Sequence, residues 1–174
     1  MNNEQKTIPY EEHDPHELAQ SAQKKIAESK DKGERLKVLQ SIAKLDALWT
    51  QDVLLNALAD PNEEIRSYIV LQLAQKENLD LSLLYNRLAK PPWYIKNEVL
   101  KILGIRKNPR SAKHIEIVLS ESNDEVRRTA AIVLGSIGGD FARSLLVKLT
   151  HDQNPFVRKT AEKSLNETSS LKFL

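Results

Sequence analysis

The chain has 174 residues, 40% of them apolar and 5% aromatic, with 26 bases and 24 acids for a formal net charge of +2. That length buries one substantial core, and so small a net charge argues against affinity built on many phosphates. The absence of cysteine excludes a disulfide framework, a thiolate nucleophile and a sulfur-ligated metal, and no apolar run approaches the roughly 20 residues a membrane-spanning helix requires.

Residues 1–12 are polar and without periodicity, which predicts a tail. Asp14-Pro15-His16-Glu17 then opens a helix: aspartate is a good N-cap, proline suits the first helical position and glutamate suits the first turn. His13 and His16 beside Glu17 supply too few ligands for a metal site, and no second such cluster exists, so no metal or cofactor is expected. A thin stripe of Leu18, Ala22 and Ile26 is followed by Leu36, Leu39, Ile42 and Ala43 on a helix from about 34 to 45. The pair, within residues 13–48, has the polar outer face of a terminal capping unit.

From there the chain repeats. Helices are predicted near 50–59 and 63–76, 80–89 and 93–106, 110–120 and 124–137, and 141–150 and 155–168. The second helix of each pair starts on Ile65, Ile95, Val126 and Val157, 30 or 31 residues apart. Each carries apolar residues at the same offsets, as in Val126, Ala130-Ala131 and Leu134-Gly135, a helical stripe ending in glycine. The first helices keep the same period with Leu54/Leu58, Leu84/Leu88, Ile115/Leu119 and Leu145/Leu149. Pro91-Pro92 stiffens the third turn, and Gly138-Gly139 closes the fourth unit. An apolar end, Leu171-Lys172-Phe173-Leu174, is placed to cover the last helix.

The turns repeat as well. Asp60 lies six residues before Arg66, Glu121 before Arg127 and Asp152 before Arg158. Acid and base in these places can pair within a repeat or form a ladder between repeats. Lys90 and Lys96 break the pattern in the third unit.

Acid, polar turn, Val/Ile-Arg, two small or apolar residues and Leu-Gly together resemble the short HEAT-like repeat of the phycobilisome-lyase type, over roughly residues 50–168. The resemblance implies an all-α, right-handed α-solenoid of about five helical hairpins. A single domain over 13–168 is expected, its four regular repeats spanning 49–168, with a C-terminal tail at 169–174. Such repeats serve mostly as adaptors and scaffolds, so no enzyme is expected.

In a solenoid the second helices line the concave side. Across the repeats the positions off the core stripe hold Ser67, Asn97, Arg128 and Lys159; Tyr68, Glu98, Thr129 and Thr160; and Leu71, Lys101, Ile132 and Lys163. Tyr68, Leu71 and Ile132 are candidate anchors, with Lys101, Arg128, Lys159 and Lys163 as a basic fringe. Alternatively, Leu71 and Ile132 belong to a broad core stripe. A second candidate surface is the turn edge, where Trp93, Tyr94 and Phe156 offer large, rigid contact area; against it, Trp93 packs on Pro91-Pro92 and Phe156 staples its helix start.

The function expected is a cytoplasmic, non-enzymatic scaffold or adaptor that binds a partner protein or peptide and neither metal nor membrane. The alternative is a nucleic-acid binder using Lys101, Arg106, Lys107, Arg110 and Lys113, although Arg106 and Lys107 also suit a helix C-terminus by the dipole alone. A lyase-type accessory protein has only the resemblance in its favour.

Overall fold

Short polar side chains start most of the helices. In the computed structural model, which describes residues 14–90 and 92–170, Asp14 accepts a bond from the His16 amide at 2.9 Å and opens α1 (Pro15–Glu28). Asp31 does the same for α2 (Lys32–Ala43) and Asp80 for α5 (Leu81–Leu88). Asparagines that the sequence pattern left unremarked take this role after three turns. Asn62 caps α4 (Glu63–Gln75), and Asn123 caps α8 (Asp124–Ile137). Asn154 accepts bonds from the Phe156 and Val157 amides at the start of α10 (Pro155–Ser170). Each satisfies amides that a helix start leaves without partners. Helix α6 (Trp93–Arg106) begins after Pro92 with no side-chain cap. The remaining helices are α3 (Leu48–Asn56), α7 (Ser111–Ile115) and α9 (Gly139–Leu149); short 3₁₀ turns follow α3 and α7. Among the described residues there is no strand.

The chain divides into two compact units between Val53 and Leu54. In the first, α1 packs on α2. Helix α1 has no buried residue, and Leu39 and Ile42 on α2 are buried. Helix α2 begins two residues earlier than its apolar stripe suggests, because Asp31 rather than a later residue is its cap. His13 and the expected tail at 1–12 lie outside the described residues.

In the second unit, α4, α6, α8 and α10 pack side by side in chain order, while α5, α7 and α9 form the other layer. The repeated stripes meet between them. Ile65, Ile69 and Leu73, then Val99, Leu100 and Leu103, then Val126, Ala130, Ala131 and Leu134, are fully buried, and so are Val157 and Ala161. From the first helices Leu54, Leu58, Leu84, Leu88, Ile115 and Leu145 join them. At about 1.5–3 kcal/mol for each fully buried large side chain, this shared seam dominates the stability of the stack, which is an all-α solenoid. Helix α10 runs to Ser170, two residues beyond the expected end; the proposed cover from Leu171 to Leu174 lies outside the described residues.

The glycines of the Leu-Gly motif are not helix ends. Gly104 and Gly135 sit inside α6 and α8, where successive second helices approach too closely for a side chain. A Cβ on Gly104 would lie 3.1 Å from Val133 Cγ2, and one on Gly135 only 2.7 Å from Ser164 Cβ. Gly138 and Gly139 do act as the expected terminator, with φ of 71° and 86°, a conformation that glycine adopts without a Cβ penalty.

Of the two pairings open to the turn residues, the structure forms the ladder between repeats. Arg127, buried, grips Asp152 of the next turn with Nε and Nη2 at 2.7 and 2.9 Å, while its Nη1 donates to the carbonyls of Glu121 and Ser122. Arg66 and Arg158 hold the carbonyls of their own turns in the same way. The aspartates instead fold their own turns, Asp60 and Asp152 each accepting from the amide two residues on at 2.8 Å. The third unit does not leave the ladder: Lys96 pairs with Glu121. Because Lys90 stands where an acid would, Arg66 turns to Glu98, at 3.4 Å.

Candidate functional site

Helices α4, α6 and α8 line an open groove of about 760 Å³. Its apolar part comes from Leu71 on α4, Ile105 on α6 and Ile132 on α8, which are 48–49% exposed. Gly104 lies among them on the floor, where Val133 of α8 packs close against its backbone. Leu71 and Ile132 therefore stand outside the core stripe: a single helix can bury only the arc that meets its neighbours, and the +6 position falls beyond it. Ile105, one residue past Gly104, was not singled out by the repeat pattern, since the matching positions on the other second helices hold Gln75, Ser136 and Glu167.

Two ion pairs edge the groove. Arg128 holds Glu125 in a two-point clasp at 2.8 and 2.9 Å. Those hydrogen bonds, ahead of the opposing effect of burial, keep the Glu125 carboxyl below its ordinary pKa and raise the arginine's. Lys101 lies 3.0 Å from Glu98, whose side chain is only 8% exposed against 50% for the lysine. Thr129, Val133 and Ser136 from α8, Ser67 and Val70 from α4, and Lys107 at the end of α6 complete the lining. Ser136 also donates to the Gly104 carbonyl at 3.1 Å, tying α8 to α6 across the floor.

A protein-family model described as HEAT repeats matches residues 81–166, from the start of α5 into α10. The chain is a HEAT-like repeat protein. No curated protein matches it. HEAT repeats are generally protein-interaction scaffolds and generally not enzymes.

The HEAT-like stack gathers Leu71, Lys101, Arg128 and Ile132 along one groove and leaves other expected residues outside it. Lys159 and Lys163 are exposed on α10, beyond the groove's edge at α8. Tyr68 is half-buried and does not line the groove; its burial raises the phenol pKa. Asn97, in the row of Ser67 and Arg128, is buried on α6 rather than facing the groove, and its Oδ1 has no hydrogen-bond partner among the described residues.

At the turn edge Trp93 and Tyr94 meet edge to face, with ring centroids 6.0 Å apart. Both remain partly exposed; Pro91, the other expected neighbour of Trp93, lies outside the described residues. Phe156 is 71% exposed, so it does not staple its helix start. Asn154 already holds that turn through two backbone amides. Phe156 and Asn154 instead border a shallow hollow of about 210 Å³ that shares Glu125 and Arg128 with the main groove.

Four of the five bases of the alternative reading fall on different surfaces. Lys101 and Lys107 line the groove. Arg106 turns to the carbonyls of Ala74 and Lys76, closing the end of α4 at 3.0 and 2.9 Å. Lys113 lies beside a different hollow, lined by Tyr85, His114 and Ile117 of the first-helix layer. Nearness in sequence misled here because the turn after α6 sends the chain to the other layer. Among the described residues no group of three or more His, Asp or Glu side chains is placed to hold a metal ion, and no helix is long and apolar enough to cross a membrane.

Proposed function

We propose that this HEAT-like protein is a non-enzymatic scaffold or adaptor whose α4–α6–α8 groove takes an apolar-faced segment of another protein. The observation that carries this is the grouping of Leu71, Ile105 and Ile132. Three large apolar side chains on the second helices of three successive repeats stay half-exposed around a glycine, within a rim that carries two ion pairs. A few apolar anchors inside a polar rim are the usual anatomy of a protein interface. The hollow beside Phe156 extends the same surface towards the turn edge.

Nucleic-acid binding draws less support, because two of the groove's three cations, Lys101 and Arg128, already face acids, and Arg106 and Lys113 lie away from it. Cross-linking mass spectrometry on material captured from the native lysate, with nuclease treatment, tests the proposal. A partner retained by the wild type, lost from Ile132→Glu and cross-linked to Lys101 or Lys107 is expected. Identical captured proteins for wild type and variant, or cross-links confined to α5, α7 and α9, would count against it. Tight binding of duplex or single-stranded oligonucleotides at low salt, with a steep salt dependence, would favour the alternative.

A further inference from the structure

Lys107 ends α6 in the left-handed conformation, with φ 49° and ψ 31°, and it is the only non-glycine residue at positive φ among those described. The place is one where helices ordinarily use glycine or asparagine, because a Cβ is disfavoured there. Thirty-one residues on, the matching position is Gly138, which closes α8 with φ 71°. A helix C-terminus favours a cation, yet Arg106 already provides one in the last turn, and neither residue needs positive φ to do so.

Lys107 lines the groove, and its side chain makes no hydrogen bond or ion pair with the described residues. The other charges there are spoken for. Glu98 is covered and shared by Arg66 and Lys101, and Glu125 is clasped by Arg128. The lining holds three cations, Lys101, Lys107 and Arg128, against two acids, of which one is buried. The unanswered charge is positive, and it lies close in sequence to the exposed Ile105.

We infer that the groove is selective for an acidic-apolar protein segment, one whose aliphatic or aromatic residues lie on Leu71, Ile105 and Ile132 and whose carboxylate meets Lys107. This rests on the scaffold reading above and specifies the chemistry of its partner. Lys107 is the specificity-determining residue: its conformation works against the fold, and its charge completes the site.

Selection of random twelve-residue peptides on the immobilised full chain, followed by fluorescence anisotropy of the enriched peptides, tests it. Enriched sequences are expected to combine large apolar residues with Asp or Glu and to lose binding to Ile132→Glu. Converting their carboxylates to amides should weaken binding to the wild type about tenfold, a scale typical of one well-placed interfacial charge pair. The same conversion should change binding to Lys107→Gly by less than about twofold. Lys107→Gly should melt no lower than the wild type, so that lost selectivity is not lost folding. Groove-dependent peptides without acidic enrichment, or an unchanged amide effect in Lys107→Gly, would overturn the acidic specificity and leave the groove as a docking site. No peptide dependent on Ile132 would overturn both. A dimer in sedimentation that Ile132→Glu abolishes would assign the groove to a second copy of the chain and also refute the inference.

Discussion

Replacing Gly135 with alanine sets two well-characterised effects against each other. In a helix interior alanine is favoured over glycine by about 0.5–1 kcal/mol, so helix propensity alone predicts a more stable protein. The new Cβ would lie 2.7 Å from Ser164 Cβ and 3.4 Å from Ser164 Cα. Ordinary contact begins near 3.4 Å, so α10 would have to retreat by about 0.7 Å, and the atom in the way is fixed to the backbone rather than at the end of a flexible chain. Overpacking of a filled core costs about 1–3 kcal/mol. The net expectation is a loss of about 1–2 kcal/mol, a fall in melting temperature of several degrees for a domain of this size. Thermal melts followed by circular dichroism measure the loss. Hydrogen exchange should localise it to α10.

Two partner variants separate the mechanism from a general defect. Ser164→Ala keeps the Cβ and should leave the penalty of Gly135→Ala largely intact. Ser164→Gly removes it, so in that background the alanine should become neutral or stabilising. Gly104→Ala, facing the side-chain methyls of Val133 at 3.1 and 3.5 Å, should cost less than Gly135→Ala. A higher melting temperature for Gly135→Ala would refute the argument that helix approach, rather than helix termination, explains this glycine.

Ala131→Asp would place a charge at a fully buried position between repeats and should cost several kcal/mol; an unchanged denaturation midpoint would mean that the register is wrong. Asp152→Ala leaves the buried Arg127 guanidinium without its carboxylate and should cost about 3 kcal/mol in urea titrations. The Asp152 carboxyl is held below its ordinary pKa of 3.8, first by the hydrogen bonds from Arg127. Its contribution is therefore complete above that value and lost as pH falls through the depressed folded value. The wild type should lose stability below roughly pH 4, and the Asp152→Ala variant should show a shallower loss there. Lys107→Gly should raise stability by about 0.5–1 kcal/mol by relieving the left-handed backbone; a lower denaturation midpoint would show that the lysine side chain itself supports the fold.

The amino-acid sequence by itself determined the repeat. Local periodicity sets which face of a helix is apolar, and two stripes recurring at Ile65, Ile95, Val126 and Val157 and at Leu54, Leu84, Ile115 and Leu145 leave one economical solution, hairpins stacked on hairpins. The helix limits of α6 and α8 follow from the same periodicity. It left Leu71 and Ile132 open between groove and core, and the packing of the helices decided their exposure. The Asn-x-x caps of Asn62, Asn123 and Asn154 were present in the same turns as the acid-base pattern and could have been found with it. The tertiary structure alone decided what the repeated residues touch across repeats. Whether Arg127 reaches its own turn's acid or Asp152, whether Gly135 ends a helix or admits Ser164, and whether Lys101 faces a phosphate or Glu98 depend on the distance and rotation between helices some thirty residues apart. Helical periodicity carries no term for that separation. The same reason hid Ile105 and Lys107, whose places in the groove come from how α6 sits between α4 and α8 rather than from any repeat of their own.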